Sequence, residues 1–220
     1  MVFAGGITKL LCPTKLMITT DPFFTDIYNE KLLKSLEQRF GPTYHHHADL
    51  SISTKTMLNM VSKMNRKKPR RGEVVMVVPN EQGHIWLHTK SFYPQGVYRL
   101  MTGGLEPGEA PHEALRREVK EETGFKVKIK QCLAVITYLL TVHKVELPFV
   151  SYVFVTMPTS GQPQPTDSGE AIAHFQAVPI PALADTARQL RTLTGEFADW
   201  GIFRAISHEV AYAQLLKDPF

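Results

Sequence analysis

Residues 103–125 read Gly-Gly-Leu-Glu-Pro-Gly-Glu-Ala-Pro-His-Glu-Ala-Leu-Arg-Arg-Glu-Val-Lys-Glu-Glu-Thr-Gly-Phe, and three carboxylates in this run are spaced for chemistry. The run predicts a helix over 110–123. Pro111 suits a first turn, where its missing N–H is not needed, and Gly124 suits the left-handed residue past the end. At about 100° per residue, with Glu118 at zero, Glu122 falls at about 40° and Glu121 at about 300°, so the three share one face. Leu115 and Val119 form the adjoining apolar stripe, while Glu113, Arg116 and Lys120 point to solvent. Like charges at i, i+4 repel in a bare helix. Their convergence makes sense around a divalent cation, and an all-oxygen donor set selects Mg²⁺ or Mn²⁺ over zinc. The glycine-rich turn ahead of the helix can offer backbone groups to the same place. An acidic, solvated helix face would account for three glutamates but not for the glycines, the spacing or Arg117.

The same stretch resembles the signature of the Nudix hydrolases: Gly, five residues, Glu, seven residues, then Arg-Glu-apolar-x-Glu-Glu-x-Gly-apolar. Gly103, Glu109, Arg117, Glu118, Val119, Glu121, Glu122, Gly124 and Phe125 fill every position. The resemblance implies an α/β (α+β) fold, an α/β/α sandwich around a mixed sheet, over about residues 72–180. It also implies a hydrolase that cleaves the pyrophosphate bond of a nucleoside diphosphate linked to another group, with Mg²⁺ or Mn²⁺. Carried over by position, Glu118 and Glu122 would be metal ligands, and Glu121 a third carboxylate on metal or water. The Gly103–Gly104 turn would lend a backbone carbonyl, and Glu109 would pair with Arg117 to fix the loop on the helix. Glu170, in Thr166-Asp-Ser-Gly-Glu170, stands where some family members carry a catalytic carboxylate in a later loop. The general base is left open among Glu118, Glu121 and Glu170. A proline about fifteen residues beyond the signature, which marks ADP-ribose hydrolases, is absent: Leu140 holds that place. The upstream pattern of coenzyme A hydrolases is also missing, so no nucleotide substrate is singled out.

The surrounding elements follow from pattern. Residues 21–65 read as helical, with Phe24, Ile27, Tyr28, Leu32 and Leu36 on a stripe that Gly41-Pro42 stops, and a second short helix from about Ser53 to Met64 carrying Met57, Leu58, Met60, Val61 and Met64. Val74–Val78 and His84–Thr89 look like a hairpin, Tyr98–Leu100 like a short strand, and Val127–Leu140, Phe149–Val155 and Ile172–Val178 like longer ones. Two helices, about 180–193 and 202–217, close the chain. Strands on either side of one central helix suggest a mixed sandwich rather than regular βα alternation. The expected organisation is a tail at 1–20, a helical extension with a basic linker at 21–71, and a catalytic domain at 72–220.

Composition narrows the class. With 43% hydrophobic and 21% charged residues, the 220-residue chain is an ordinary globular protein. No apolar run approaches the roughly 18–20 residues that span a bilayer. Cys12 and Cys132 are far apart and read as reduced thiols of a cytoplasmic protein. The start lacks a basic n-region and makes a poor signal peptide; Met17 is an alternative start codon. Lys63, Arg66, Lys67, Lys68, Arg70 and Arg71 carry six positive charges against a net of +4, so the remainder sums to −2. That run is expected to be a mobile linker able to attract anions. It also supports a second reading, a nucleotide sensor that binds nucleic acid through Lys63–Arg71. The apolar stripes of 21–65 must be buried, on the catalytic core or across a homodimer. His45-His-His47 is expected in an exposed loop. Phe92, Tyr93 and Tyr98 could stack a base but suit a core, Arg99 could meet a phosphate, and Trp200 and Phe203 read as packing residues.

Overall fold

A computed structural model describes residues 20–66, 69–166 and 168–218. The expected tail with Cys12 and Met17, and Lys67 and Lys68 of the basic run, lie outside the described residues. The elements run α1 (Pro22–Ile27), α2 (Glu30–Phe40), β1 (Tyr44–Ser51), α3 (Lys55–Met64), β2 (Gly72–Val77), β3 (Ile85–Lys90), β4 (Arg99–Gly104), α4 (Pro111–Thr123), β5 (Ile129–Val142) and β6 (Val145–Thr156). A 3₁₀ turn (Ser168–Glu170), β7 (Ile172–Val178), α5 (Ala182–Arg191), a second 3₁₀ turn (Gly195–Phe197) and α6 (Ala198–Leu215) complete the order.

Seven strands form one mixed sheet in the order β1-β5-β6-β2-β4-β3-β7. β2 lies near its centre, parallel to β6 and antiparallel to β4. That position explains its unbroken apolar run. Val74, Met76 and Val78 face one layer, with α1, α2 and α4. Val75 and Val77 face the other, with α3 and α6. The result is the expected α/β/α sandwich.

Two expectations need correction. Residues 44–51 are not helical, and His45–His47 are not in a loop: they form the edge strand β1, parallel to β5 from Tyr44↔Ala134 to Ser51↔Thr141. Tyr-His-His-His-Ala-Asp-Leu-Ser has no apolar alternation because an edge strand buries little, and here its residues alternate only between exposed and half-buried. The β2–β3 hairpin exists only at its turn, where Asn80 N–H donates to His84 O and Trp86 N–H to Val78 O. Beyond that turn β4 is inserted between the two strands.

The stripes of residues 21–65 are buried on the chain's own sheet. Phe24, Tyr28, Leu33, Leu36 and Phe40 join the α4 layer, and Met57, Val61 and Met64 join the α6 layer. Nor is the basic run wholly a solvated linker. Arg71 is buried, its Nε 2.8 Å from Asp21 Oδ2 and its Nη1 donating to Met64 O. Asp21 also caps α1, accepting from Phe23 and Phe24 N–H. Cys132 is buried and free, as expected of a core thiol. Among the described residues no helix is long and apolar enough to cross a membrane.

Candidate active site

Helix α4 supplies the first half of the site. It starts at Pro111 and stops at Gly124, whose φ is +73°. The loop between β6 and β7 docks on that end, with Gln164 N–H donating to Thr123 O and Thr166 N–H to Glu121 O. Leu115 and Val119 are fully buried, which turns Glu118 and Glu122 down toward the end of β4. Gly103, on β4, lies directly under Glu118: a Cβ there would come within 2.0 Å of the Glu118 Cδ. The glycine is a steric requirement of the carboxylate above it.

Glu170 comes from the opposite side. It ends a 3₁₀ turn, and Ala171 then takes a left-handed φ of +53° before β7 pairs with β3. The β3–β7 register shifts between Thr89 and Lys90, and Ser91 N–H donates to Ala171 O. This local irregularity delivers Glu170 to the helix face. Ligand oxygens of Glu118, Glu122 and Glu170 lie within 4.8 Å of one another.

Glu121 is not part of that group. It is partly exposed and held by Arg117, whose Nη1 is 3.1 Å from Glu121 Oε2 and 2.8 Å from Glu118 Oε1. Arg117 grips Glu109 with Nε and Nη2, both at 2.8 Å, and Nη2 also donates to Gly104 O. This side-on pair, with the Gly104 carbonyl, ties the glycine loop to the helix.

The electrostatics are those of a site short of positive charge. Glu122 is completely buried, and burial pushes its pKa up to about 8. Neither of its oxygens has a hydrogen-bond partner. Burial also raises the Glu118 carboxyl, against the pull of Arg117. Lys90 reaches in from the end of β3, with Nζ 2.6 Å from Glu170 Oε2 and 3.7 Å from Glu122 Oε1. His88 Nδ1 is 3.4 Å from Glu122 Oε2. Burial, with Arg99, Lys90 and Arg204 nearby, holds that imidazole well below its usual pKa, so it is neutral and does not balance the carboxylates. Buried carboxylate oxygens without hydrogen bonds, all of one hard donor type, fit a divalent cation of the Mg²⁺ or Mn²⁺ kind.

Beside the carboxylates a cleft of ≈ 690 Å³ opens between α3, the β3–β4 connection and the start of α6, with Gly103 and Lys90 on its border. Phe92 and Tyr93 line it, as does Trp200, which the sequence assigned to packing alone. Tyr98 and Phe203 instead pack in the α6 layer. Arg99 is buried in the lining, donating to Tyr93 Oη, Leu100 O and Thr102 Oγ1. Lys90, His88 and Arg204 were not singled out from sequence. Alternation in β3 could have placed His88 and Lys90 on one face, but nothing local ties them to α4.

The chain is similar to known proteins over part of their length. A NAD-capped RNA hydrolase of Schizosaccharomyces pombe is 36% identical over 25% of this chain and 15% of its own. The human NAD-capped RNA hydrolase NUDT12 is 36% identical over 32% of this chain and 16% of its own. The chain thus matches about one sixth of the length of these relatives. A solved MutT protein from Methanosarcina mazei Go1 is 18% identical, covering 69% of this chain and 99% of that one, with a TM-score of 0.46. The NUDIX domain description matches residues 69–200, more than half of the chain. With the glycine loop, the Glu109–Arg117 tie and the carboxylate face of α4 all inside that span, the chain belongs to the NUDIX domain family.

Proposed function

We infer that the chain is a Mg²⁺- or Mn²⁺-dependent pyrophosphohydrolase acting on a nucleoside diphosphate linked to a further group. One observation carries the reading: carboxylates from two separate segments, Glu118 and Glu122 on α4 and Glu170 before β7, meet within 4.8 Å, with both Glu122 oxygens buried and without a hydrogen bond. A purely structural cluster would be expected to satisfy those oxygens.

In this reading Glu118 and Glu122 hold the ion, with Gly103 leaving room for the Glu118 carboxylate. A bound divalent ion supplies charge neutralisation on phosphate oxygens and acidifies water. Glu170 is assigned to take the proton of the attacking water, and Lys90 aims it through its 2.6 Å contact. Arg117 and Glu109 position the loop and the helix rather than touch substrate. Arg70 and Lys63, at the edge of the cleft, draw the anionic substrate in.

The sensor reading is weakened at one position: Arg71 is buried against Asp21, while Arg70 is exposed beside Gly104 at the cleft. The names of the relatives put NAD-capped RNA among the compounds to test. The experiment is a phosphate- and nucleotide-release screen over dinucleotides, nucleotide sugars, nucleoside triphosphates and capped RNA, with chelator, Mg²⁺, Mn²⁺ or Zn²⁺. Activity lost with chelator and restored by Mg²⁺ or Mn²⁺ is expected. Rescue by zinc alone, or no turnover of any phosphoanhydride, overturns the reading.

A further inference from the structure

Strand β1 ends the sheet on one side and presents an open edge. Its residues, Tyr44–Ser51, pair with β5 in unbroken register. Ile52 N–H donates to Thr141 O, and His46 O accepts from Thr137 Oγ1. The even-numbered residues therefore turn their backbone groups inward to β5, and His45, His47, Asp49 and Ser51 turn theirs outward. Among the described residues none of these four has a backbone partner on the outer side. Native sheets guard such an edge with lysine, proline, a bulge or a covering segment. β1 contains no lysine, arginine, proline or glycine.

The outward residues share one face of the strand, and there His47 and Asp49 stand on either side of Ala48. Their side chains are 48% and 73% exposed, with His47 Nε2 3.1 Å from Asp49 Oδ1. Thr137 Oγ1 holds the other ring nitrogen of His47 at 2.9 Å, and His45 is engaged by Glu37 of α2 at 3.7 Å. This pattern is its own complement. An antiparallel copy, turned about a twofold axis at Ala48, sets each His47 opposite Asp49 of the other copy. Ala48 then faces Ala48 at a non-hydrogen-bonded pair, where side chains approach closest and a methyl group fits. An axis at His47 sets two imidazoles against each other, and an axis at Asp49 sets two carboxylates together.

We propose that the β1 edge is a self-association surface: two copies of this chain join β1 to β1, antiparallel about Ala48, and fuse their seven-stranded sheets into one. The backbone of His45, His47, Asp49 and Ser51 supplies the bonds, and the His47–Asp49 alternation selects a second copy over an unrelated strand. Tyr44 and Leu216, both large and exposed, flank the edge, with Lys217 lying 5.4 Å from the Tyr44 ring centroid. β4 and β3, which carry Gly103 and Lys90, lie toward the far side of the sheet, so the pairing leaves the carboxylate cluster of each copy uncovered.

Sedimentation velocity of the full chain over about 1–100 μM tests the surface, with dimer expected to dominate at the upper end. Asp49→Lys sets a cation opposite His47 of the second copy and is expected to weaken the dimer about tenfold or more. Adding His47→Asp to Asp49→Lys exchanges the two charges and is expected to recover most of that loss, which a lysine acting only as an edge guard would not permit. Ala48→Cys reads the register, because non-hydrogen-bonded partners stand about 4.5 Å apart at Cα, within disulfide range. Mild oxidation is expected to turn Ala48→Cys into a covalent dimer on non-reducing gels, beyond any that wild type forms through Cys12 or Cys132. A monomer at every concentration, a dimer that Asp49→Lys leaves intact, no recovery in the double variant, or no more covalent dimer from Ala48→Cys than from wild type each overturns the proposal. Ala48→Cys is a small change at a half-buried position, so its result decides if the charge variants fail to fold.

Discussion

Gly103 and Glu118 show how tightly single residues are set. A methyl group at 103 would overlap the Glu118 carboxylate, so Gly103→Ala is expected to keep the fold, push Glu118 out of the cluster and weaken Mn²⁺ binding at least about tenfold, read by titration calorimetry. Glu122→Gln keeps the volume and loses the charge; turnover is expected to drop by about 10²–10⁴. Glu121→Gln is expected to cost far less, since Glu121 is partly exposed and its contact is with Arg117. A Glu121→Gln loss as deep as that of Glu122→Gln would contradict the assignment. His208 gives a pH test away from the carboxylates. Its Nε2 accepts the Leu100 N–H and its Nδ1 donates to Arg204 O, which fixes a neutral ring. Burial, with Arg99 and Arg204 nearby, holds its pKa down to about 3. An unfolded histidine titrates near about 6.5. Between those values the unfolded chain takes up a proton that the folded chain refuses, so stability falls as pH falls through that window. His208→Gln lacks this titration. The stability gap between wild type and variant, from urea midpoints, should be widest above about pH 6.5 and shrink toward pH 3. A gap independent of pH would show that the ring is not held neutral.

At the scale of elements, the basic run divides by position rather than by charge. Arg71 is buried with Asp21 and ties the end of α3 to the start of α1 through Met64 O. Arg71→Gln is expected to destabilise by about 2–3 kcal/mol, less than the ~3–5 of a fully buried pair because Asp21 keeps some exposure. Arg70→Gln is expected to leave stability unchanged and to raise KM at low salt only. Chemical denaturation and kinetics at two ionic strengths separate the two, and matching effects would restore the simple linker. Helix α3 is tied to α6 just ahead of its first turn by Asp199, whose Oδ2 accepts from Ser53 and Thr54 N–H. Asp199→Ala should cost about 1–3 kcal/mol.

For the molecule as a whole, residues 20–66 are part of the sandwich, not an appendage. They add the edge strand β1, cover one face of the sheet with α1 and α2, and form a wall of the cleft with α3. Removing residues 1–65 would strip Phe24, Leu36, Phe40, Met57 and Val61 from two cores and bare β5 along its length. At about 1.5–3 kcal/mol per buried large apolar side chain, that loss is comparable to the whole stability of an ordinary domain. The truncated chain is expected to be insoluble on expression, and a soluble, monomeric product with a cooperative melt would show that the catalytic fold stands alone.

The amino-acid sequence by itself determined the local and the periodic. The face of α4, its ends at Pro111 and Gly124, the Glu109–Arg117 pair and most strands could be read because each depends on spacing within one segment. The family followed from residues 103–125 alone. Tertiary structure decided whatever joins distant segments. It set Glu170 beside α4 through a left-handed Ala171 and a shifted β3–β7 register. It also made a strand of Tyr44–Ser51, whose residues carry no apolar alternation because the partner that stabilises them, β5, lies some eighty residues on. The cleft belongs wholly to this second kind. Its aromatic wall, its Arg204 floor and its α3 side come from three separate stretches, and burial against one another, not spacing along the chain, brings them face to face.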